Sequence, residues 1–192
     1  ATQWYDEDGD GYGDNPMGIN GDMCPGIYGL STIDRLGCVD TDGDGYSDTA
    51  DDCDTEFGNS TKDRIGCIDS DGDGYSDEGD GFDDDPSKWA DMDGDGVEDS
   101  EDAFPFDPTQ DSDRDGDGMG DNPMGMGADK FPDDPTQWGD IDGDGYGDNQ
   151  DGNNPDVFIA DPTQHADSDG DGYGDRLTGR LPDMFPNDPT QW

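Results

Sequence analysis

Aspartates at fixed spacing are the residues of this chain with the most evident chemistry. A nine-residue string, Asp-x-Asp-Gly-Asp-Gly-x-x-Asp, occurs seven times. We number places from its first Asp, 1 to 9 within the string and onward through the rest of the repeat. Calcium prefers six to eight oxygen ligands, and an EF-hand loop supplies them from places 1, 3, 5, 7, 9 and 12, with Gly at place 6. Alternating carboxylates in a loop that turns on glycine therefore predict a calcium site in each copy.

Each copy offers four Asp side chains and, at place 7, a backbone carbonyl. In chain order these candidate ligands are Asp6, Asp8, Asp10, Tyr12 and Asp14; Asp40, Asp42, Asp44, Tyr46 and Asp48; Asp69, Asp71, Asp73, Tyr75 and Asp77; Asp91, Asp93, Asp95, Val97 and Asp99; Asp113, Asp115, Asp117, Met119 and Asp121; Asp140, Asp142, Asp144, Tyr146 and Asp148; and Asp167, Asp169, Asp171, Tyr173 and Asp175. Magnesium prefers a small octahedral shell that keeps several waters, and zinc prefers clustered Cys and His, which this chain lacks. The predicted cofactor is Ca2+, with seven or more ions.

A further Asp, the closing Asp, follows each string. In four repeats it lies eleven residues after place 1, which is place 12 of the EF-hand pattern: Asp51, Asp80, Asp102 and Asp151. In the other three it lies sixteen residues after place 1: Asp22, Asp129 and Asp183. These three must loop back, and they are interpreted as direct ligands, solvated acids or ligands through water.

A second group of acids stands in Asp-Pro steps. Its members are Asp85, Asp107, Asp134, Asp161 and Asp188. They are candidates either to bridge to the ion of the next repeat or to begin a turn.

The seven strings belong to a repeated frame of 22 residues into which short pieces are inserted. The repeats start at 6, 40, 69, 91, 113, 140 and 167. Inserts of five precede the closing Asp in repeats 1, 5 and 7 and follow it in repeat 6. We expect two regions: residues 1–79, with two disulfide-containing repeats and the start of the third, and residues 80–192, where Phe and PTQW segments replace the cysteines. A constant frame with inserts at fixed points is typical of a repeat protein.

The segments between the loops are too rich in Gly and Pro to form the paired helices of an EF-hand. They predict an irregular fold with little regular secondary structure: a calcium-stabilised, elongated array of EF-hand-like loops without flanking helices. The chain resembles the thrombospondin type 3 repeat, most closely in CVDTDGDGYSDTADDC (38–53) and CIDSDGDGYSDEGD (67–80). That resemblance implies a chain wrapped around successive calcium ions, as in the spacers of bacterial and archaeal surface proteins.

Four cysteines fall in two parallel segments of equal length, 24–38 and 53–67, which share the ending G-x-S-T-x-D-R-x-G-C. Four cysteines permit three pairings, and the parallel between the segments favours Cys24 with Cys38 and Cys53 with Cys67. Disulfides persist in oxidising compartments, so we expect an extracellular location, secreted or on the cell surface.

The composition excludes several partners. Asp and Glu outnumber Lys and Arg by 54 to 8, for a net charge of −46, and 26% of the residues are hydrophobic. Such a surface repels nucleic acid and anionic membranes, and no apolar run is long enough for membrane insertion. Composition alone indicates disorder, so we expect folding to depend on calcium. Aromatic residues recur in register, which favours packing between neighbouring repeats, with sugar-binding platforms as the alternative: Phe82, Phe104, Phe131, Phe185, Trp4, Trp89, Trp138 and Trp192.

These features favour a secreted calcium-binding structural repeat protein that serves as a rigid spacer, stalk or extracellular fibre crosslinked by calcium. The alternative is a calcium-rigidified adhesion module that recognises glycans or a partner protein. No nucleophile and base are grouped, so we do not expect an enzyme. The sequence opens with ATQW and stops with DPTQW, the same point of the frame, which favours self-association into linear assemblies or a longer repeat array.

Overall fold

The computed structural model describes residues 5–192, and within them it contains no helix and no extended strand. Regular pairing within residues 5–192 consists of four isolated parallel bridges: Gly13 with Gly21, Gly120 with Ala128, Gly147 with Pro155, and Gly174 with Pro182. The irregular, loop-rich fold predicted from the Gly and Pro content is confirmed. Trp4 lies outside the described residues. No helix in this part of the chain has the length and apolarity needed to cross a membrane.

The chain divides after Ser100 into two compact bodies. The N-terminal body contains repeats 1 to 3, and the C-terminal body, Glu101–Trp192, contains repeats 5 to 7. Repeat 4 begins in the first body and ends in the second.

One backbone hydrogen bond closes every nine-residue loop. The amide at place 9 donates to the carbonyl of the residue before place 1, as in Asp77 to Ile68 (2.8 Å) and Asp148 to Gly139 (2.9 Å), and this bond is present in all seven repeats. The glycines at places 4 and 6 have φ between 79° and 105°, a region that favours glycine because it lacks a Cβ. The repeated Gly spacing thus sets the turn that brings the carboxylates of a loop together.

The interior of both bodies is polar. Among the described residues, the buried hydrophobic side chains are those of Cys38 and Cys67, each 3% exposed. The largest fully buried side chains are instead amides, carboxylates and hydroxyls: Gln110, Gln137, Gln164, Asp22, Asp156, Asp183, Ser31, Ser47, Ser60 and Ser76. Because burial of an unpaired polar group is unfavourable, this interior requires partners for its polar atoms.

Three aromatic pairs among the described residues stack within a repeat. The ring at place 7 lies on the residue two positions before the next repeat, as in Tyr75 on Trp89, with ring centroids 5.5 Å apart. Tyr173 stacks on Trp192 at 5.3 Å, and His165 takes the place of Trp against Tyr146 at 3.7 Å. Trp89 and Trp192 remain 41% and 62% exposed, so these stacks do not form an apolar core.

Candidate metal centres

The Asp at place 1 organises the loop around itself. In every repeat its Oδ1 accepts the amide of the Gly at place 4 at 2.7 Å. Its Oδ2 accepts the amide of the Gly at place 6 at 2.9 to 3.1 Å. These bonds fix the turn and hold the place 1 carboxylate near those at places 3 and 5. In repeats 1 to 5 the three carboxylates offer oxygens within 4.8 Å of one another.

Buried carboxylate oxygens without hydrogen bonds mark the centre of these loops. At place 3 such Oδ2 atoms belong to Asp42, Asp71, Asp115, Asp142 and Asp169. At place 5 they belong to Asp117, Asp144 and Asp171. An unpaired buried carboxylate oxygen is costly unless a cation is its partner. The residues present therefore fit a hard cation with oxygen ligands, of which Ca2+ is the example suited to irregular geometry.

The closing acids complete these groups. The Oδ2 atoms of Asp22, Asp129, Asp156 and Asp183 are buried and accept no hydrogen bond, while each Oδ1 accepts the amide two residues later at 2.7 Å. Their side chains are nearly or fully buried, with exposures of 0 to 4%. The closing acids at the longer spacing thus lie in the interior and are not solvated surface acids.

In repeat 6 the structure corrects the predicted closing residue from Asp151 to Asp156. Asp151 is exposed within the inserted turn, whereas Asp156 is fully buried. The amide of Asp156 donates to the Gly147 carbonyl at 2.8 Å, as that of Asp129 does to Gly120. The insert of repeat 6 therefore precedes the closing Asp, as in repeats 1, 5 and 7. A constant step of five residues from closing Asp to Asp-Pro, here Asp156 to Asp161, is the sequence signal for this assignment.

The pKa values of five closing acids are raised, first by burial and then by the neighbouring carboxylates of the same loop. Burial raises the pKa of Asp156, the amide of Phe158 partly offsets this, and the carboxylates of Asp144, Asp142 and Asp148 raise it further. Burial and the acids at places 3 and 5 act in the same direction on four other closing acids: Asp22, Asp51, Asp80 and Asp129. A bound divalent cation would relieve this repulsion.

The other predicted ligands are placed differently from one repeat to another. At place 9 both oxygens of Asp77 accept hydrogen bonds from Ser70, through its amide and its hydroxyl, each at 2.7 Å. The place 9 acid there holds the loop closed, while in repeats 5 and 6 Asp121 and Asp148 keep one buried oxygen without a hydrogen bond. At place 7, no backbone amide of the described residues donates to the carbonyl, which leaves this oxygen available in every repeat.

Asp102 of repeat 4 is also buried, and its Oδ1 accepts the amide of Phe104 at 2.7 Å. It therefore makes the same local contact as the other closing acids.

Repeat 1 differs from repeats 6 and 7 in the carboxylate oxygens of places 3 and 5. The Oδ2 of Asp8 accepts the amide of Gly26 at 2.9 Å, and that of Asp10 accepts the amide of Gly29 at 3.4 Å. Both donors belong to the segment closed by the first disulfide. In this loop, backbone amides partner oxygens that have no hydrogen bond in repeats 6 and 7.

The Asp-Pro acids begin turns. The Oδ1 of Asp134 accepts both the amide and the hydroxyl of Thr136, at 3.1 and 2.7 Å. The hydroxyl bond is the main reason that the pKa of Asp134 is lowered. The same pair of bonds is made by Asp85, Asp107, Asp161 and Asp188. Of the two interpretations of these acids, the geometry favours the turn.

The disulfides pair Cys24 with Cys38 and Cys53 with Cys67, as predicted. We call the segments 24–38 and 53–67 the hairpin segments. Each is fastened to the next loop by an Asp and a Ser: Asp63 accepts the amide of Ser76 at 2.8 Å and its hydroxyl at 2.7 Å. Asp34 accepts the same bonds from Ser47.

The glutamines of the Pro-Thr-Gln segments, which we call the clasp glutamines, are not among the residues predicted from the sequence: Gln110, Gln137 and Gln164. They are 1 to 2% exposed, and each side chain binds backbone groups of the following repeat. Each clasp glutamine is followed by glycines at places 8 and 13 of the next repeat. This sequence pattern is the signal by which the clasp glutamines can be identified.

Comparison with known proteins finds no family model that matches the chain and no matching curated protein.

Proposed function

We propose that this chain is a secreted, calcium-binding structural repeat protein that serves as a spacer, stalk or extracellular fibre. One observation carries the proposal: buried carboxylate oxygens without hydrogen bonds meet in successive loops, as those of Asp142, Asp144 and Asp156 do in repeat 6. Repetition of this arrangement along the described residues, whose interior is polar, supports a structural role, because each ion would join a loop to its closing segment. The role needs no catalysis.

Calcium would act as an internal crosslink. Carboxylates from places 1, 3 and 5, the carbonyl of place 7 and the closing Asp supply enough oxygens for most of a calcium shell. The side chains that hold these groups are fixed by backbone amides, so the loop is preorganised for a cation. Two disulfides support an oxidising compartment, where calcium sites of millimolar affinity are typical of extracellular modules.

The test compares two neighbouring acids of repeat 6 in the full chain. We expect Asp156→Asn to reduce the number of bound calcium ions by one at a limiting calcium concentration, or to weaken that site at least tenfold. Asp151→Asn, which removes the same charge from an exposed position, should leave binding unchanged. Ion counting by native mass spectrometry and calorimetric titration measure both quantities. Equal effects of the two variants, or a wild-type chain that binds no calcium, would contradict the proposal.

A second function is favoured by the exposed aromatic pairs. Trp89 and Trp192 each stack on a tyrosine and keep 41% and 62% of their surface exposed. Such faces suit a sugar ring or a partner protein, and they support a calcium-rigidified adhesion module. Binding to a glycan array that is lost in Trp89→Ala and in EGTA would support this function; absence of any bound glycan or protein would leave the structural role.

A further inference from the structure

We propose that the clasp glutamines are positioning residues for the calcium site of the repeat that follows each of them. The glycine at place 8 of that repeat is the matching element that admits the glutamine side chain. This inference rests on the proposed calcium binding. It adds that the end of each repeat must match the loop of the repeat that follows it.

Gln137 shows how a clasp works. Its Nε2 donates to the carbonyls of Asn149 and Asn153, at 3.0 and 2.9 Å, and its Oε1 accepts the amide of Asn149 at 3.0 Å. Asn149 and Asn153 stand at the two ends of the turn that carries the insert of repeat 6. The side chain therefore sets the width of this turn, after which the chain returns to place Asp156 in the loop.

Thr136, beside the glutamine, fastens the same two residues. Its hydroxyl accepts the amide of Asn153 at 2.8 Å, and its carbonyl accepts the side-chain amide of Asn149 at 2.8 Å. Gln110 makes the equivalent three bonds to Asn122 and Met126, at 2.9 to 3.1 Å. Gln164 makes them to Arg176 and Arg180, although neither residue resembles Asn. The clasp glutamine thus binds backbone groups of the insert and does not require particular side chains there.

Two glycines make room for the clasp. A Cβ on Gly147, at place 8, would lie 2.0 Å from the Oε1 of Gln137 and 2.1 Å from its Cδ. A Cβ on Gly152, at place 13, would lie 2.3 Å from the Thr136 carbonyl oxygen and 2.6 Å from the Gln137 Nε2. Neither glycine has a positive φ. Glycine is therefore required at these places because a Cβ would collide with the clasp, and not because of the local backbone conformation.

The residue at place 8 changes together with the segment before it. Repeats 5, 6 and 7 have Gly at place 8 and follow a Pro-Thr-Gln segment. Repeats 2 and 3 have Ser47 and Ser76 at place 8, lack the insert, and follow hairpin segments that supply Asp34 and Asp63. Repeat 4 has Glu98 at place 8 and follows a segment with Lys88 at the clasp position. The end of one repeat is thus matched to the loop of the next, and the affinity of a site depends on the repeat before it.

The test follows single sites in the full chain. Amide resonances of the place 6 glycines, Gly118, Gly145 and Gly172, report repeats 5, 6 and 7 during a calcium titration. In Gln137→Ala we expect the midpoint for Gly145 to rise on the order of tenfold, because three part-buried hydrogen bonds that hold the insert are lost. Gly118 should keep its wild-type midpoint. Gln191→Ala is the matched control, since Gln191 stands at the same point of the frame but its side-chain amide donates to Asp188 of its own segment.

A double-mutant cycle tests the match between glutamine and glycine. Gly147→Ala alone should raise the Gly145 midpoint by a similar factor, because the new methyl group displaces the clasp. In the Gln137→Ala background the same substitution should add little, since the obstructing side chain is gone. Additive effects, or an equal shift of all three resonances, would overturn the proposal. If no glycine of the wild-type chain responds to calcium, the proposed function fails instead.

Discussion

Repeats 2 and 3 are attached to the preceding segment through a segment closed by a disulfide, whereas repeats 5 to 7 are attached through a buried glutamine side chain. In both groups a loop of aspartates must be held against the segment before it. The first group uses a hairpin segment closed by a disulfide, and an Asp that binds the Ser at place 8. The second group uses a clasp glutamine, a five-residue insert and Gly at place 8. The loops themselves are the same, so the fastening can change while the candidate metal site is conserved within the chain.

The two kinds of attachment differ in how far they stabilise the chain without calcium. A disulfide restricts the unfolded chain whether or not an ion is present, whereas a clasp works only if the insert is already turned. Gly26 and Gly29, within the first disulfide loop, also donate to carboxylates of repeat 1. Repeat 1 therefore has contacts that substitute in part for a cation, whereas the place 3 Oδ2 atoms of repeats 2, 3, 6 and 7 have no hydrogen-bond partner.

Removal of calcium should give the largest contrast. In excess EGTA at neutral pH we expect the C-terminal body to lose its amide protection, because the buried carboxylates of each loop then repel one another. The hairpin segments should retain part of theirs. Hydrogen exchange read by mass spectrometry, with peptides from both bodies, measures the difference. Equal and complete loss in both bodies would show that the disulfides do not stabilise structure without the ion.

Removal of one disulfide should have a smaller effect, confined to the N-terminal body. The double substitution Cys53→Ser and Cys67→Ser should reduce the stability of repeats 2 and 3 by about 3 kcal/mol in calcium, the contribution of a loop of this length in the chain-entropy model. Exchange rates of amides in repeat 3 measure the change, and those in repeat 6 serve as the internal control. A loss of similar size in repeat 6 would contradict the independence of the two fastenings.

The smallest expected effect is a gain. Place 15 of the insert repeats takes a left-handed backbone, with φ of 55° at Asn20, 61° at Gly127, 44° at Asn154 and 48° at Leu181. Leucine is poorly suited to this region, and Leu181 is 64% exposed. Leu181→Gly should therefore stabilise repeat 7 by about 0.5 to 1 kcal/mol, as measured by thermal unfolding in calcium. Leu177→Gly, at a similarly exposed site without positive φ, should not stabilise it.

The absence of helices and the disulfide pairing followed from the sequence because both depend on local features: Gly and Pro content, and two segments of equal length. The closing acid of repeat 6 was harder to predict, because Asp151 stands at the spacing of the short repeats. Burial and the five-residue step to Asp161 identify Asp156 instead. The clasp was missed for a related reason. A glutamine in a polar sequence is expected to lie on the surface. The burial of Gln137 depends on two backbone carbonyls that lie 12 and 16 residues further along the chain.

A polar interior also changes how heat acts on this protein. The heat capacity increment of unfolding comes mainly from newly exposed apolar surface, and polar surface subtracts from it. With amides, hydroxyls and carboxylates inside, the increment per residue should fall well below the usual value of about 12 to 15 cal/mol/K. The stability curve would then be nearly flat, without the cold-side maximum of ordinary domains. Because unfolding exposes little apolar surface and the chain is a polyanion, the unfolded chain should stay in solution and refold when the cation is added again.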